Sequence, residues 1–306
     1  MLRREATVLC LNDVGRRLTP DEVVVIIAEE DPVARAVSAL WGSPPPVEGH
    51  VDGVPLRRLN ARTLLLGRPG HHVHDEDLDR KLPLAVREQR PTLLFPSIHR
   101  SEMNVPCLTV HPLGNPGPRA EVGGRPRTVV PTDPRRMAAA LRLLDDGALG
   151  IGMRATFEAT HHGPALELPA FFVEIGYGGS PGPPDAAVRL LAQTIAEIEP
   201  DPSDRVAMGV GGGHYVPHFS ELALRRRWAF GHLISRHALV EVDRATAAQA
   251  YAASGGAEGV VYARAEDARH PALEGLGPRL RDSDAPPRIS GPARPSTDAF
   301  HSASGT

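Results

Sequence analysis

Apolar residues along this chain fall in short runs separated by longer stretches of mixed polarity, and the spacing predicts alternating strands and helices. Val23 to Ala28 is an unbroken apolar run rich in β-branched residues, the pattern of a strand covered on both faces. Asp31-Pro32 follows it, an N-cap and then proline at the first helical position, opening an amphipathic helix to about Trp41 that Gly42 and Pro44-Pro45-Pro46 stop. Leu64 to Leu66, Thr92 to Phe95 and Cys107 to His111 predict further short strands, each followed by glycine or proline. Asp133 caps and Pro134 starts a helix to Gly147 with the stripe Met137, Leu141 and Leu144. Beyond it the chain predicts a helix from Asp185 to Ile198, a strand from Val206 to Val210, a helix from about Phe219 to Phe230, a helix from Thr246 to Ser254, and a last strand from Gly259 to Ala263.

This order predicts an α/β fold: a single domain over about 20–275, with helices on both faces of a mixed, mostly parallel sheet. Residues 1–19 read as an irregular extension with one apolar run, Ala6 to Leu11. From 278 to 306 proline, serine, arginine and aspartate dominate, which predicts a disordered and dispensable tail.

Composition narrows the function. The chain has 306 residues and 41% hydrophobic content, enough for a sizeable core. No stretch has the length of a membrane span, and the N-terminus MLRREATVLC lacks the marks of a signal peptide, so a soluble, cytoplasmic protein is expected. Cys10 and Cys107 stand apart from each other and from any metal spacing, and both read as buried small residues. A net charge of −3 gives no global sign of nucleic-acid binding, which leaves that role to a local arginine patch. Lys81 is the single lysine and no GxxxxGK precedes it, which argues against Schiff-base chemistry and phosphate-loop nucleotide hydrolysis.

The candidate chemistry centres on Thr156 to Gly176, TFEATHHGPALELPAFFVEIG. Gly163-Pro164 and Pro169 forbid a continuous helix, so the segment reads as strand, loop, strand. Glu158 then closes the first strand and Glu174 the second, with His161-His162 on the loop between, all at one end of a sheet. Carboxylates and imidazoles so grouped suit proton transfer near neutral pH or a divalent metal such as zinc. The competing reading is a surface loop whose histidines cap a turn. Upstream, PSIHRSEMNVPCLTVHPLGN carries His99, Arg100, His111 and Asn115, with His111 ending a strand where open α/β sheets place ligand groups. HHVHDEDLD, 71–79, fits an HxHxDH metal spacing only at His72 and His74 and reads as a solvated, acid-rich loop.

Two further motifs matter. Gly178 to Gly182 spells GxSxG, but Pro181 has no N–H for an oxyanion hole, so a loop is expected there. GGGHYVPHF, 211–219, follows a strand, and amides of Gly211, Gly212 and Gly213 suit a phosphate or a developing oxyanion. His214 and His218 are four apart, but Pro217 between them argues against a regular one-faced pair. Arg225-Arg226-Arg227 beside Trp228 suits backbone contacts to an RNA end or a solvated helix face.

SIHRSEMNVPCLTVHPLGN, FEATHHGP, FFVEIG and GVGGGHYVPHF together resemble the D-aminoacyl-tRNA deacylase family of archaea and plants, in register over roughly 24–240. The resemblance implies hydrolysis of the ester joining a D-amino acid to tRNA, an association with zinc, and a fold similar to phosphorylases and peptidyl-tRNA hydrolases. The chain departs from the family pattern at Ile98, where arginine often stands, and at Tyr177, where serine often follows EIG. On this basis His161, His162, Glu158 and His214 are expected to be catalytic, with His161 and His162, together with Glu158 or Glu174, binding zinc or acting as base. His111, His162 and Glu174 are the expected zinc ligands. His99, Arg100, Gly211, Gly212, Gly213 and Tyr215 are expected to hold the 3′ end of D-aminoacyl-tRNA, in a monomer with no membrane partner. The alternatives are a zinc amidohydrolase or peptidase, or a non-catalytic module binding the tRNA end.

Overall fold

Val23–Ala28 forms the buried strand that its composition predicts, β1, in a computed structural model that describes residues 22–100, 105–178 and 181–288. The Asp31 carboxylate accepts the Val33 and Ala34 amides and starts α1 (Pro32–Trp41). A hairpin of β2 (Pro46–Val51) and β3 (Val54–Arg58) follows, then β4 (Thr63–Arg68) and two single-turn helices, α2 (Leu78–Lys81) and α3 (Leu84–Arg87). The middle of the chain supplies β5 (Thr92–His99), β6 (Cys107–Pro112), a small hairpin of β7 (Gly114–Asn115) and β8 (Thr128–Val129), α4 (Pro134–Ala148), β9 (Ala155–Phe157), β10 (Ala170–Gly176) and α5 (Asp185–Glu197). The last third supplies β11 (Arg205–Val210), α6 (Pro217–Arg225), β12 (Trp228–Ile234), α7 (Arg236–Leu239), α8 (Arg244–Ala252), β13 (Val260–Tyr262) and β14 (Arg279–Leu280).

Eight strands make the larger sheet, in the order β2-β3-β4-β1-β5-β10-β6-β9. Its centre, β4-β1-β5-β10, is parallel, and β6 pairs antiparallel with β10 and parallel with β9. This is the mixed, mostly parallel sheet expected. Side chains alternate across it: Val23, Val25 and Ile27 pack on the long helices α1, α4 and α5, whereas Val24, Ile26, Phe95 and Phe172 pack with Leu78 and Val86 of the short helices.

A second sheet is not foreseen by the sequence reading. β12-β11-β13-β14 is all parallel, and α4 packs against β6 and β9 of one sheet and β12 of the other. Arg142 of α4 locks this seam, its guanidinium bonded to the carboxylate of buried Asp204 and to the carbonyls of Ala223 and Trp228.

Three expectations are corrected. The helix expected to run from Phe219 to Phe230 ends at Arg225, and Trp228–Ile234 is a fully buried strand. Residues 278–288 are built into the fold: Arg279–Leu280 is an edge strand, the Asp282 carbonyl accepts the Trp228 indole N–H, the Pro286 carbonyl accepts the Arg227 amide, and Ala285 is buried. The segment 71–79 is no solvated loop, since His72 and Asp79 are each 1% exposed. Its acids receive amides of the 163–168 segment, Asp79 those of Glu167 and Leu168 and Glu76 that of Ala165. The apolar run Ala6 to Leu11, Cys10, part of the GxSxG loop and the stretch beyond 288 lie outside the described residues.

Candidate active site

Register places the site. On β10, Glu174 points to the same face as Phe172, and its sheet neighbours are Ser97 of β5 and Thr109 of β6. Two residues along each neighbour, on that same face, are His99 and His111. Gly176 pairs with His99, and a Cβ there would lie 2.7 Å from the Cys107 sulfur and 3.1 Å from the His99 ring, so glycine permits the close approach. Cys107 itself is buried, and burial pushes its thiol up to about 11, which leaves it no nucleophile.

Glu158 arrives from the next strand but one. It follows β9, donates its amide to the Val110 carbonyl and bridges to Tyr215. Because β9 and β10 run in opposite directions, Glu158 and Glu174 do not close two strands at one end of the sheet, as the sequence reading expects. Glu174 lies inside its strand, and the two acids meet on the sheet face. Both are buried, at 0% and 3% exposure.

Around this pair the imidazoles converge. His99 places Nδ1 3.1 Å from Glu158 and 3.3 Å from Glu174, while its Nε2 lies 2.8 Å from the Tyr215 hydroxyl. His214, the most exposed member, approaches Glu158 Oε2 through Nε2 at 2.9 Å. His111 Nε2 stands 3.6 Å from Glu174 and His161 Nε2 3.5 Å from Glu158. The rings of His111, His161 and His162 touch, with centroids 4.1 to 4.9 Å apart. His161, His162, Glu158, His214, His111, Glu174, His99 and Tyr215 are therefore one cluster.

Backbone carbonyls set the tautomers. Nδ1 of His111, His161 and His162 lies 3.2, 2.8 and 3.0 Å from the carbonyls of Pro112, Ala159 and Gly163. A carbonyl only accepts, so each Nδ1 carries a proton, and each Nε2, with a lone pair whenever its ring is neutral, turns inward. Those lone pairs share the interior with two carboxylates, and neither Glu158 oxygen nor His111 Nε2 has an aligned hydrogen bond among the described residues. Ligand atoms of His111, His161 and His162 lie within 4.8 Å of one another, as do those of His111, Glu158 and Glu174. Imidazoles whose outer N–H is held by protein and whose inner nitrogen meets carboxylates form the donor set of a zinc-class cation, so the residues fit such an ion.

Protonation follows the same logic. Burial alone would lower His99, but the Glu158 and Glu174 carboxylates beside it outweigh that and raise it to about 10. His111 is raised in the same way by Glu174. Burial and neighbouring imidazoles hold His161 well below its ordinary value and His162 down to about 4. Burial would raise both carboxyls, yet their histidine partners hold Glu158 and Glu174 well below the usual range. The centre is thus two carboxylates facing a mixture of charged and neutral imidazoles.

The glycine turn contributes less than expected. The Gly211 amide donates to the Ile234 carbonyl at 2.9 Å, and a Cβ at Gly211 would meet the Asp267 carboxylate at 2.4 Å, so Gly211 offers no donor to a ligand. Gly212 and Gly213 carry the chain on to His214. Arg100 is exposed next to His99 at the end of a described stretch. Ile98, where the chain departs from the family pattern, packs against the core on the face opposite the histidines, as does Tyr177. His218 lies outside the cluster, 3.4 Å from Asp282. A groove of about 280 Å³ opens onto His161 and His214 and is lined also by Asn115, Arg119, Thr160 and His237. Arg119 and His237 went unnoticed in the sequence because neither lies in a motif.

An α/β protein with a buried histidine–carboxylate centre defines the class. Its fold matches the crystal structure of AF0625, a conserved protein of unknown function, with a TM-score of 0.72 at 23% identity over 85% of this chain and 91% of that one. Residues 86–274 match the model of the D-aminoacyl-tRNA deacylase family, and the chain belongs to that family. Proteins named D-aminoacyl-tRNA deacylase are 38% identical to it over 168 residues in Thermoplasma volcanium (55% of this chain, 62% of that one) and 32% over 191 residues in Pyrococcus abyssi (61% and 69%). A third, from Methanosphaerula palustris, is 36% identical over 229 residues, 71% of this chain and 48% of that one. The chain thus spans less than two thirds of the Thermoplasma relative's length.

Proposed function

We propose that this protein hydrolyses the ester of D-aminoacyl-tRNA, releasing free D-amino acid and tRNA, as a cytoplasmic monomer. Membership of the family supports the substrate, and the observation that carries the chemistry is the burial of Glu158 and Glu174 among five histidines. An aminoacyl ester is already activated, so the protein has only to deprotonate a water and steady the tetrahedral oxyanion.

His111 and His162, with Glu174 and the adjoining His161, are the residues that would hold zinc. Bound there, zinc would supply Lewis-acid chemistry, lowering the pKa of water and drawing charge from a carbonyl oxygen. Glu158 orients His214 through Nε2, which leaves Nδ1 to take the proton of the attacking water and return it to the ribose oxygen. His99, held charged between the two carboxylates, places the Tyr215 hydroxyl beside the reacting carbonyl. The groove past His161 takes the terminal nucleoside, with Arg100 and Arg119 toward its phosphates and Gly212 and Gly213 beside the ester.

The test is release of amino acid from matched D- and L-tyrosyl-tRNA, with chelator and then added zinc. D-selective release, abolished by the chelator and restored by zinc, is expected; no release from either by folded, zinc-loaded protein would overturn the reading. No helix among the described residues is long and apolar enough to cross a membrane, in keeping with a substrate met in solution.

A further inference from the structure

Of the run Arg225-Arg226-Arg227, the fold pairs the outer two with acids and leaves the middle one. Arg225 bonds to Glu221 along α6 and Arg227 to Asp201. The Arg226 guanidinium donates to the Ala285 carbonyl at 3.0 Å and meets no carboxylate among the described residues. Arg279 of β14 is a second such cation. It is exposed, its guanidinium carbon sits 5.5 Å from the centre of the Tyr262 ring, and it too has no acid partner among the described residues. Both arginines line a hollow of about 390 Å³ together with Tyr262, Arg281, Asp282 and Ser283, larger than the groove of about 280 Å³ beside His161.

The acids near the hollow are spoken for. Asp284 accepts the Arg281 guanidinium at 3.2 Å, and the Asp282 carboxylate lies 3.4 Å from His218 Nε2. A chain of net charge −3 thus sets two cations at one hollow without answering them from its own carboxylates. A guanidinium fork matches the oxygens of a phosphate, and the aromatic face under Arg279 keeps that fork in place.

Position decides which phosphates these are. α6 starts two residues after Tyr215 and has nine residues, so Arg226 stands about 14 Å along its axis from the turn that carries His214. His218, four residues past His214, reaches the hollow through Asp282. An RNA strand with its ester at His214 therefore meets the two arginines a few nucleotides upstream, beyond the terminal nucleoside. We propose that Arg226 and Arg279 hold phosphates of the tRNA acceptor strand upstream of that nucleoside, an inference that rests on the deacylase reading for its substrate.

The full chain carrying Arg226→Gln, Arg279→Gln or both tests this, with Arg62→Gln, at an exposed ion pair before β4, as control. The probe is an uncharged RNA hairpin copying the acceptor stem and its single-stranded 3′ end, titrated between about 50 and 200 mM KCl. Affinity is expected to fall about tenfold or more in the double variant, and the plot of log affinity against log salt to flatten by about 0.7–0.9 per arginine removed. A slope no flatter than that of Arg62→Gln overturns the proposal. Should Arg226→Gln lose the circular-dichroism spectrum of the fold, Arg279→Gln on its edge strand decides by the same slope. Hydrolysis gives a second reading: kcat/KM for D-tyrosyl-tRNA, relative to that for 3′-O-D-tyrosyladenosine, is expected to fall about tenfold in the double variant, because the short ester has no upstream phosphate. An equal loss on both esters overturns the proposal. Cleavage of neither ester by unmodified, zinc-loaded protein overturns the deacylase reading instead, and the hairpin titration then still decides whether the arginines hold RNA.

Discussion

Glu158 is the residue on which the centre converges, since His99, His161 and His214 all approach its two oxygens. Glu158→Gln keeps the shape and removes the charge, so His99 and His214 lose the partner that orients them. Single-turnover hydrolysis of D-tyrosyl-tRNA is expected to fall about 100-fold or more, as loss of a proton-transfer partner does, with the melting temperature little changed. His232 makes a different point at this scale. It is buried with Nδ1 3.0 Å from the Thr160 hydroxyl and Nε2 3.0 Å from the Val130 carbonyl, and burial lowers it to about 3. A folded pKa below the unfolded value means that the unfolded chain takes up the proton first, so stability falls as pH drops from about 6.5 toward 3. His232→Gln is expected to make chemical-denaturation stability between pH 6 and 4 less steep by up to about 1.4 kcal/mol per pH unit. The histidines at 161, 162 and 214 were legible in the sequence because they sit in compact motifs. The burial of His72 was not, because a run of acids around it reads as solvated until the fold shows those acids capping the amides of another loop.

At the scale of elements, the strands richest in β-branched and aromatic residues were legible, Val23–Ala28 to the residue and Ala170–Gly176 to within two, whereas Thr92–His99 runs four residues past Phe95, where proline had suggested an end. Capped helices were legible as well, Asp31 and Asp133 each accepting amides of the turn they begin. Strand direction was not, and it reverses the picture of the site: composition does not tell that β6 turns antiparallel, so Glu158 and Glu174 seemed to share a sheet end when they share a face. Nor did the sequence separate α6 from β12, since Arg225-Arg226-Arg227 continues a helical polarity pattern up to a buried strand. Arg142 of α4 tests how the elements are joined. Its pair with Asp204 is buried on both sides, at 9% and 0% exposure, so removing one partner strands a charge. Arg142→Leu is expected to cost about 3–5 kcal/mol in urea unfolding, whereas Arg62→Leu, whose partner Glu199 is exposed, changes stability by less than about 1 kcal/mol.

For the whole molecule, the second sheet and its outer strand decide where the chain can be cut. Ending the chain after Gly277 removes β14, the acceptor of the Trp228 indole and buried Ala285. A loss of about 2 kcal/mol or more, read as a fall in melting temperature of roughly 5 °C, is expected, and a truncated chain as stable as the full one would restore the reading of 278–288 as dispensable. The join between the sheets carries a wider consequence. Ala159 donates its amide to the carbonyl of His214, Thr160 donates its own to that of Leu233, and the Thr160 hydroxyl accepts the Leu233 amide, so the segment holding Glu158 and His161 is stitched to the smaller sheet. His99, His111 and Glu174 belong to one sheet and His214 to the other. On the proposed mechanism, a chain that has closed only the first of them would hold the acids without His214, so activity would require the seam between the sheets to be shut. On the proposed reading, an incompletely folded copy would leave D-aminoacyl-tRNA uncleaved.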